Sequence, residues 1–591
     1  MMIKNLFRNR PLTCVFLFFG ITFLAAACGS RITREAADVL ILNGRVYTLT
    51  WGEPGLDGTP APDAPRDGSG WHPDAEAVAL RRDKILFVGS NHKAEKFRGA
   101  ATRVIDLRGA TVVPGLIETH THFVELGQSL SVVDVRGIES EAEIVARIRA
   151  AAAELPAGQW VQGYGWDEGL WANRMPDMKL LSREVPDHPV LLRGLHGFCV
   201  WGNDLAFKRA GITAQTPSPP GGEIRKDKSG HPTGILVNSA VRLLQEAVPP
   251  PSAERLKYYI QAGLKALARA GYVAAHEAGV GSETMKALEA LESEGMLPLR
   301  VYAMLAGRDE ALMEDWLPRG PEKDVEGMLV ACCVKAFYDA ALGSRGARLL
   351  EDYSDLPGHK GVSGGEYGFN QDLMARMMKA GFQMSIHAIG DAGNRETLDF
   401  LESTIKAHPE TRAMRHRVEH AQVLHPDDIP RFERMGIIAS MQPPHAVEDK
   451  AWAEERLGQE RVRSAYAWRS LRLSGARIAF NSDLPGSDFN FFYGLYAAVT
   501  RRDKEGQPEG GWHAEQCLSA EEALRAYTMW GAYAAFMEKR TGVLAPGRWA
   551  DLTVMDIDPL QTSEKNPRKL LEGKILLTIV GGKIVYSESE R

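Results

Sequence analysis

Two histidines, His120 and His122, close the run Thr-Val-Val-Pro-Gly-Leu-Ile-Glu-Thr-His-Thr-His at residues 111 to 122. The stretch before them is apolar and strand-like, and on a strand residues two apart point to the same side. Both imidazoles can then reach one cation from a single edge, and neutral imidazole is the commonest nitrogen ligand for zinc and its neighbours. By itself a His-x-His pair is also what an exposed loop offers. Four more ionisable residues repeat the pattern, each closing a short apolar, β-prone run: Lys335 after 329–334, His387 after 382–386, His420 after 416–419 and Asp483 after 478–482. In a (β/α)8 barrel the chemistry gathers at the C-terminal ends of several strands. Four histidines, one lysine and one aspartate at successive strand ends are the layout of a metal site.

The elements that must carry them can be counted. After the His-x-His strand, candidate strands fall at 272–276, 299–304, 329–338, 382–387, 414–420, 437–441 and 478–483. One plus seven makes eight, and Ala- and Leu-rich helical stretches at 252–270, 370–380 and 394–407 separate several of them, as βα units require. The predicted fold is α/β: a (β/α)8 TIM-like barrel over residues 111–540, with 126–250 left over as a large insertion after the first strand. That insertion leaves from the catalytic face and is expected to cap the substrate pocket. Residues 36–110 and 541–591 both read as short strands with Gly and Asn-Gly turns between them. Two β segments at opposite ends of a chain pair most economically into one small sandwich.

With these runs in place the chain resembles the metal-dependent amidohydrolase superfamily. More narrowly it resembles the amidohydrolase family 3 branch, which includes N-substituted formamide deformylase-like proteins. The resemblance rests on Pro-Gly-Leu-Ile-Glu-Thr-His-Thr-His (114–122), Gly-Trp-Asp-Glu (165–168), Lys-Ala-Phe-Tyr-Asp-Ala-Ala-Leu-Gly-Ser-Arg (335–345) and His-Ala-Ile-Gly-Asp (387–391). Arg-Val-Glu-His-Ala-Gln (417–422), Gln-Pro-Pro-His (442–445), Asn-Ser-Asp-Leu-Pro (481–485) and the C-terminal run 542–554 continue it in order, over roughly 37–587. Glu118 departs from the family, which more often has Asp before the His-x-His. The resemblance implies one or two divalent metals, zinc foremost. His120, His122 and Asp483 would hold one, His387 and His420 a second, and Lys335, carboxylated by CO2, would bridge them. It also implies that Asp483 is the catalytic residue, general base and then acid for attack of water on a carbonyl. The alternative for Lys335 is a buried ion pair with Asp339.

Other residues are candidates to bind substrate. His276 and Glu277 end the second barrel strand. Trp166, Asp167 and Glu168 lie in the insertion, where Trp166 supplies apolar area and a packed corner is the alternative. Arg193 and His196 follow an apolar strand, with a salt bridge as the competing role, and Gln442 and His445 close the seventh strand. Glu419 is expected to pack beside His420 and point away, and Asp391 to support His387.

Composition narrows the rest. The 591 residues are 44% hydrophobic and 25% charged, with a net charge of −6 and no basic block, so nucleic acid is not an expected partner. At the N-terminus Lys4, Arg8 and Arg10 precede an apolar core from Pro11 to Ala27, and Ala25, Ala26 and Ala27 precede Cys28. This reads as a lipoprotein-type signal over residues 1–28 with lipidation at Cys28; a plain signal peptide or an uncleaved anchor is the alternative. The expected location is a bacterial cell envelope, membrane-anchored or else periplasmic or secreted, and self-association is compatible with the sequence. Cys199, Cys332, Cys333 and Cys517 lack metal-binding spacing, and core packing is the better reading of the adjacent pair. Three functions follow in order: an exported hydrolase of a non-peptide C–N bond in a small molecule, an esterase or phosphoesterase with the same metals, and a silent binding lipoprotein.

Overall fold

The computed structural model describes residues 35–166, 175–194, 199–219, 222–238, 240–322 and 326–590. The signal segment, Asp167, Glu168 and His196 lie outside the described residues.

Eight parallel strands form the centre: β1 (Leu116–Thr121), β2 (Tyr272–Val280), β3 (Arg300–Ala306), β4 (Leu329–Phe337), β5 (Gln383–Ala388), β6 (Arg417–His420), β7 (Ile438–Met441) and β8 (Arg477–Phe480). They pair in sequence order from β1 to β8. The sheet all but closes, since the Thr119 hydroxyl donates to the Phe480 carbonyl at 3.0 Å and His122 N–H donates to the Leu484 carbonyl at 2.9 Å. Strands buried on both faces read as continuous apolar runs, and Val-Ala-Cys-Cys-Val in β4 is one. The predicted barrel is the observed one. One difference is the length of β2, which runs on to Val280, so His276 sits within the strand rather than at its end.

Helices cover the outside. Ser252 caps Ala253–Arg269 by accepting from Arg255 N–H, and Leu256, Ile260, Leu264 and Leu267 recur at helical spacing on its buried face. This helix crosses Phe123–Ser129, the helix that begins directly after His122, at a pair of glycines. A Cβ on Gly127 would lie 1.8 Å from the Tyr259 carbonyl oxygen, and one on Gly263 would lie 2.0 Å from that of Phe123. Only glycine permits that approach, and it fixes where the chain leaves the His-x-His strand.

The run from Thr111 to His122 is two strands, broken at Gly115, where a Cβ would strike Val273. Thr111–Pro114 belongs to a five-stranded sheet ordered Arg45–Val46, Thr111–Pro114, Leu552–Met555, Ile575–Val580, Lys583–Ser587. A four-stranded sheet of Lys84–Gly89, Ala77–Arg81, Val39–Leu42 and Arg103–Asp106 shares a core with it, in which Ile41, Val78 and Leu80 meet Val112, Leu552 and Ile579. A buried ion pair, Arg300 to Asp551 at 2.8 Å, ties this layer to β3.

The segment after the first barrel strand carries a six-stranded sheet ordered Val133–Asp134, Val161–Trp166, Val190–Gly194, Cys199–Gly202, Pro232–Asn238, Gly222–Lys226. Alternate residues feed two separate cores. Leu192 packs with Ile148, Trp166 and Trp201, while Leu191 packs with Val200, Phe207 and Leu236. Among the described residues no helix is long and apolar enough to cross a membrane.

Candidate metal centre

The six residues singled out at strand ends converge on one point at the C-terminal face of the barrel. Lys335 Nζ lies 3.0 Å from His120 Nε2. Asp483 Oδ1 lies 3.4 Å from His120 Nε2 and 3.3 Å from His122 Nε2. The His420 ring centre is 5.4 Å from that of His120 and 4.4 Å from that of His387. One ligand atom each from His120, His122 and Asp483 lies within 4.8 Å of the others. His122 and Asp483 form the open edge, at 28% and 19% exposure, whereas His120 and Lys335 are buried.

Backbone strain marks the same place. His420, Ala421 and Asp483 have φ of 72°, 43° and 55°, a region in which side chains other than glycine are uncommon and which gathers at functional sites. The turn into Asp483 is held by Glu118, whose carboxyl accepts from the backbone N–H of Ser482 at 2.6 Å and from its hydroxyl. The longer acid in place of the family's usual Asp is thus spent on the loop, away from the ligands.

Burial decides the protonation states. It lowers the pKa of His120 to about 4, with Lys335 adding to the effect, and that of His420 to about 3. It pushes His387 well below the ordinary imidazole range and brings Lys335 down to about 8. Burial opposes charge on Asp483, but His120, His122 and His420 outweigh it and hold the carboxyl well below its ordinary value. At neutral pH His120, His387 and His420 are therefore neutral imidazoles and Asp483 is a carboxylate, whereas burial of His122 is outweighed by its contact with Asp483, which raises its pKa. Asp483 Oδ1 is buried without a hydrogen bond among the described residues. A divalent cation between His120, His122 and Asp483 is what this donor set fits.

A ring of polar groups orients these side chains. His120 Nδ1 meets Glu419 Oε2 at 2.6 Å, which leaves Nε2 for the site. Glu419 also accepts from the Ser385 hydroxyl at 2.6 Å and pairs with the Arg417 guanidinium at 2.8 Å. Glu419 therefore supports His120 across the barrel, not His420 as its chain position implied. His420 Nδ1 instead donates to the Gln442 carbonyl oxygen at 3.0 Å, and Gln442 in turn donates to Asn481 at 2.8 Å. His445 stacks on His420, ring centres 6.1 Å apart and nearly parallel.

Several expected contacts fall elsewhere. His276 lies below the site, fully buried, where Nδ1 accepts from Arg417 at 3.1 Å and the ring packs 4.9 Å from Tyr302. Glu277 caps the helix after His122, accepting from Thr121 Oγ1 and the Phe123 and Val124 N–H groups. Trp166 is core, not pocket wall: it is fully buried and donates to the Leu192 carbonyl at 2.9 Å. Arg193 is exposed on its strand. Asp391 accepts from Leu350 and Ala392 N–H and so ties a loop to a helix start, with no bond to His387. Asp339 accepts from Arg348, Ile389 and Gly390 N–H and lies 3.6 Å from His387 Nε2, so it is not Lys335's partner.

Sequence reading missed Arg417, whose guanidinium spans the barrel to the Thr119 carbonyl at 2.6 Å and Ser440 Oγ at 3.0 Å. The signal was present, since Arg417 and Glu419 stand two apart on a strand that must be buried on both faces.

Comparison with known proteins places the chain. The amidohydrolase family model matches residues 103–586. Protein LONG AFTER FAR-RED 3 of Arabidopsis thaliana is 31% identical over 93% of this chain and 92% of its own. An N-substituted formamide deformylase of Arthrobacter pascens is 26% identical over 87% of this chain and 95% of its own. A solved uncharacterized metal-dependent hydrolase from Pyrococcus furiosus superposes with a TM-score of 0.71 at 26% identity, covering 88% of this chain and 99% of that one. The chain belongs to the amidohydrolase family and is a metal-dependent hydrolase of carbon–nitrogen bonds.

Proposed function

We propose that this enzyme cleaves a non-peptide C–N bond in a small molecule, an N-substituted amide, formamide or cyclic amide. The convergence of His120, His122 and Asp483 within 4.8 Å carries the reading, and the likeness to a formamide deformylase supports the substrate class. Those three residues would hold one divalent ion, zinc foremost; His387, His420 and a carboxylated Lys335 would hold a second. Such ions supply Lewis acidity toward water and a carbonyl oxygen. Asp483 takes a proton at its carboxylate from the attacking water and delivers it to the leaving nitrogen, as general base and then acid. Glu419 and Gln442 fix the faces that His120 and His420 present. The inserted sheet, which follows the first barrel strand from the catalytic face, would cap the pocket. The test is a panel of small amides, formamides, esters and phosphoesters given to chelator-treated protein, before and after adding zinc and bicarbonate. Zinc-dependent cleavage of amides or formamides is expected. Cleavage confined to esters or phosphoesters would replace this reading.

We also propose export, with lipid attachment at Cys28 to a bacterial membrane. The basic residues, apolar core and small residues before Cys28 support it. Cys28→Ser is expected to move the protein from the membrane to the soluble fraction, and unchanged membrane partition would refute the anchor.

A further inference from the structure

Arg308 stands two residues beyond β3, on the catalytic face of the barrel. The intervening Gly307 donates its N–H to the Lys335 carbonyl at 2.8 Å, which fixes the turn against the strand that carries the site lysine. The guanidinium is held between two rings, 4.4 Å from the centre of Phe337 and 4.5 Å from that of Tyr367, and Nη2 donates to the Tyr367 carbonyl at 2.6 Å. Phe337 also borders the metal centre: Lys335 Nζ lies 4.9 Å from its centre, and the His387 ring packs against it at 5.5 Å. Arg308 therefore shares an aromatic neighbour, Phe337, with Lys335 and His387 of the metal centre.

Its charge is unanswered. Among the described residues no carboxylate lies within ion-pair distance of Arg308. The acids nearest in sequence are engaged, Asp309 with Leu312 N–H and Ser282 Oγ, and Glu310 with Asn370. Arg308 is exposed to solvent, and its contacts with two aromatic rings reduce the rotamer freedom that a surface arginine otherwise has before any ligand arrives. Guanidinium has five N–H donors in a planar fork that matches a carboxylate, and one of the five is used here.

We propose that Arg308 is an anion subsite, and that the substrates of this enzyme carry a carboxylate a few bonds from the C–N bond that is cut. This rests on the C–N hydrolase reading and narrows its substrate class. The test uses metal-loaded, full-length protein and two probes that contain no hydrolysable bond, 4-acetylbenzoate and its neutral isostere 4-nitroacetophenone. Calorimetry is expected to show the carboxylate binding at least about tenfold tighter, the size of one charge-assisted hydrogen-bond pair. Arg308→Gln should abolish that preference while leaving the affinity for the neutral probe unchanged, which also reports an intact fold; Arg308→Lys should retain part of it. In kinetics, Arg308→Gln should raise KM about tenfold for N-formyl-4-aminobenzoate, with kcat preserved. Equal affinity for the two probes, failure of both to bind, or a preference that survives Arg308→Gln would overturn the subsite. If the preference holds and neither N-formyl-4-aminobenzoate nor its neutral carboxamide is cleaved, aryl formamides are ruled out as the substrate class while the subsite stands.

Discussion

His120 on β1 and Glu419 on β6 meet across the barrel interior at 2.6 Å, with 1% and 0% of their side chains exposed. The carboxylate fixes which ring nitrogen faces the site, and its own charge is balanced by Arg417 at 2.8 Å. Burial would raise the Glu419 pKa, but Arg417, His120 and Lys335 hold it well below the ordinary carboxylate range.

Glu419→Gln keeps the size and a hydrogen-bonding oxygen but removes the charge that draws the proton to Nδ1. Metal affinity is expected to fall by about 10- to 100-fold, the usual consequence of losing a group that orients a histidine ligand. Stability should fall as well, because Arg417 is left buried without its counter-ion. Metal titration by calorimetry checks the first claim, and an unchanged affinity would assign Glu419 to the fold alone.

Asp483→Asn separates proton transfer from metal binding. The amide oxygen can still face the site, but the carboxylate that takes the proton is gone. Metal content is expected to be retained with kcat down by about 10²–10⁴. Near-normal turnover with metal intact would place the base elsewhere in the pocket.

The barrel and its six strand-end residues were legible because two simple periodicities coincide. Short apolar runs mark strands buried on both faces, and an ionisable residue closing such a run, like His387 or Asp483, has no apolar role to play. What stayed hidden depends on contacts between distant strands. The chain separates His120 from Glu419 by 299 positions, and nothing local distinguishes an acid that points across a barrel from one that faces its helices. Trp166 erred for the same reason: an aromatic residue closing a strand serves a pocket or a core equally well, and the inserted sheet has a core of its own to fill. His276 was misplaced by four residues of strand, which turned a rim position into the floor beneath the site.

His416 gives a pH dependence that is separable from the metal centre. It precedes β6, is buried, and accepts the Met384 N–H at Nδ1 over 3.0 Å, so the fold requires its neutral form. Burial lowers its pKa from 6.5 to about 4. A group whose pKa is depressed by folding contributes stability that is fully present above its unfolded value and is lost as pH falls toward the folded one. The window is therefore pH 6.5 down to about 4, and a shift of this size corresponds to about 3 kcal/mol across it. His120, His387 and His420 titrate in the same direction, so the whole-protein slope does not isolate His416. The comparison with His416→Gln does, because the variant keeps the site and loses only this titration. Urea unfolding should show the variant less stable than the parent at pH 7.5, with the gap narrowing by about 2 kcal/mol at pH 5. A gap that stays constant between those two pH values would mean that His416 is protonated in the folded chain or titrates equally in both states, and its burial would then have no linkage to acid unfolding.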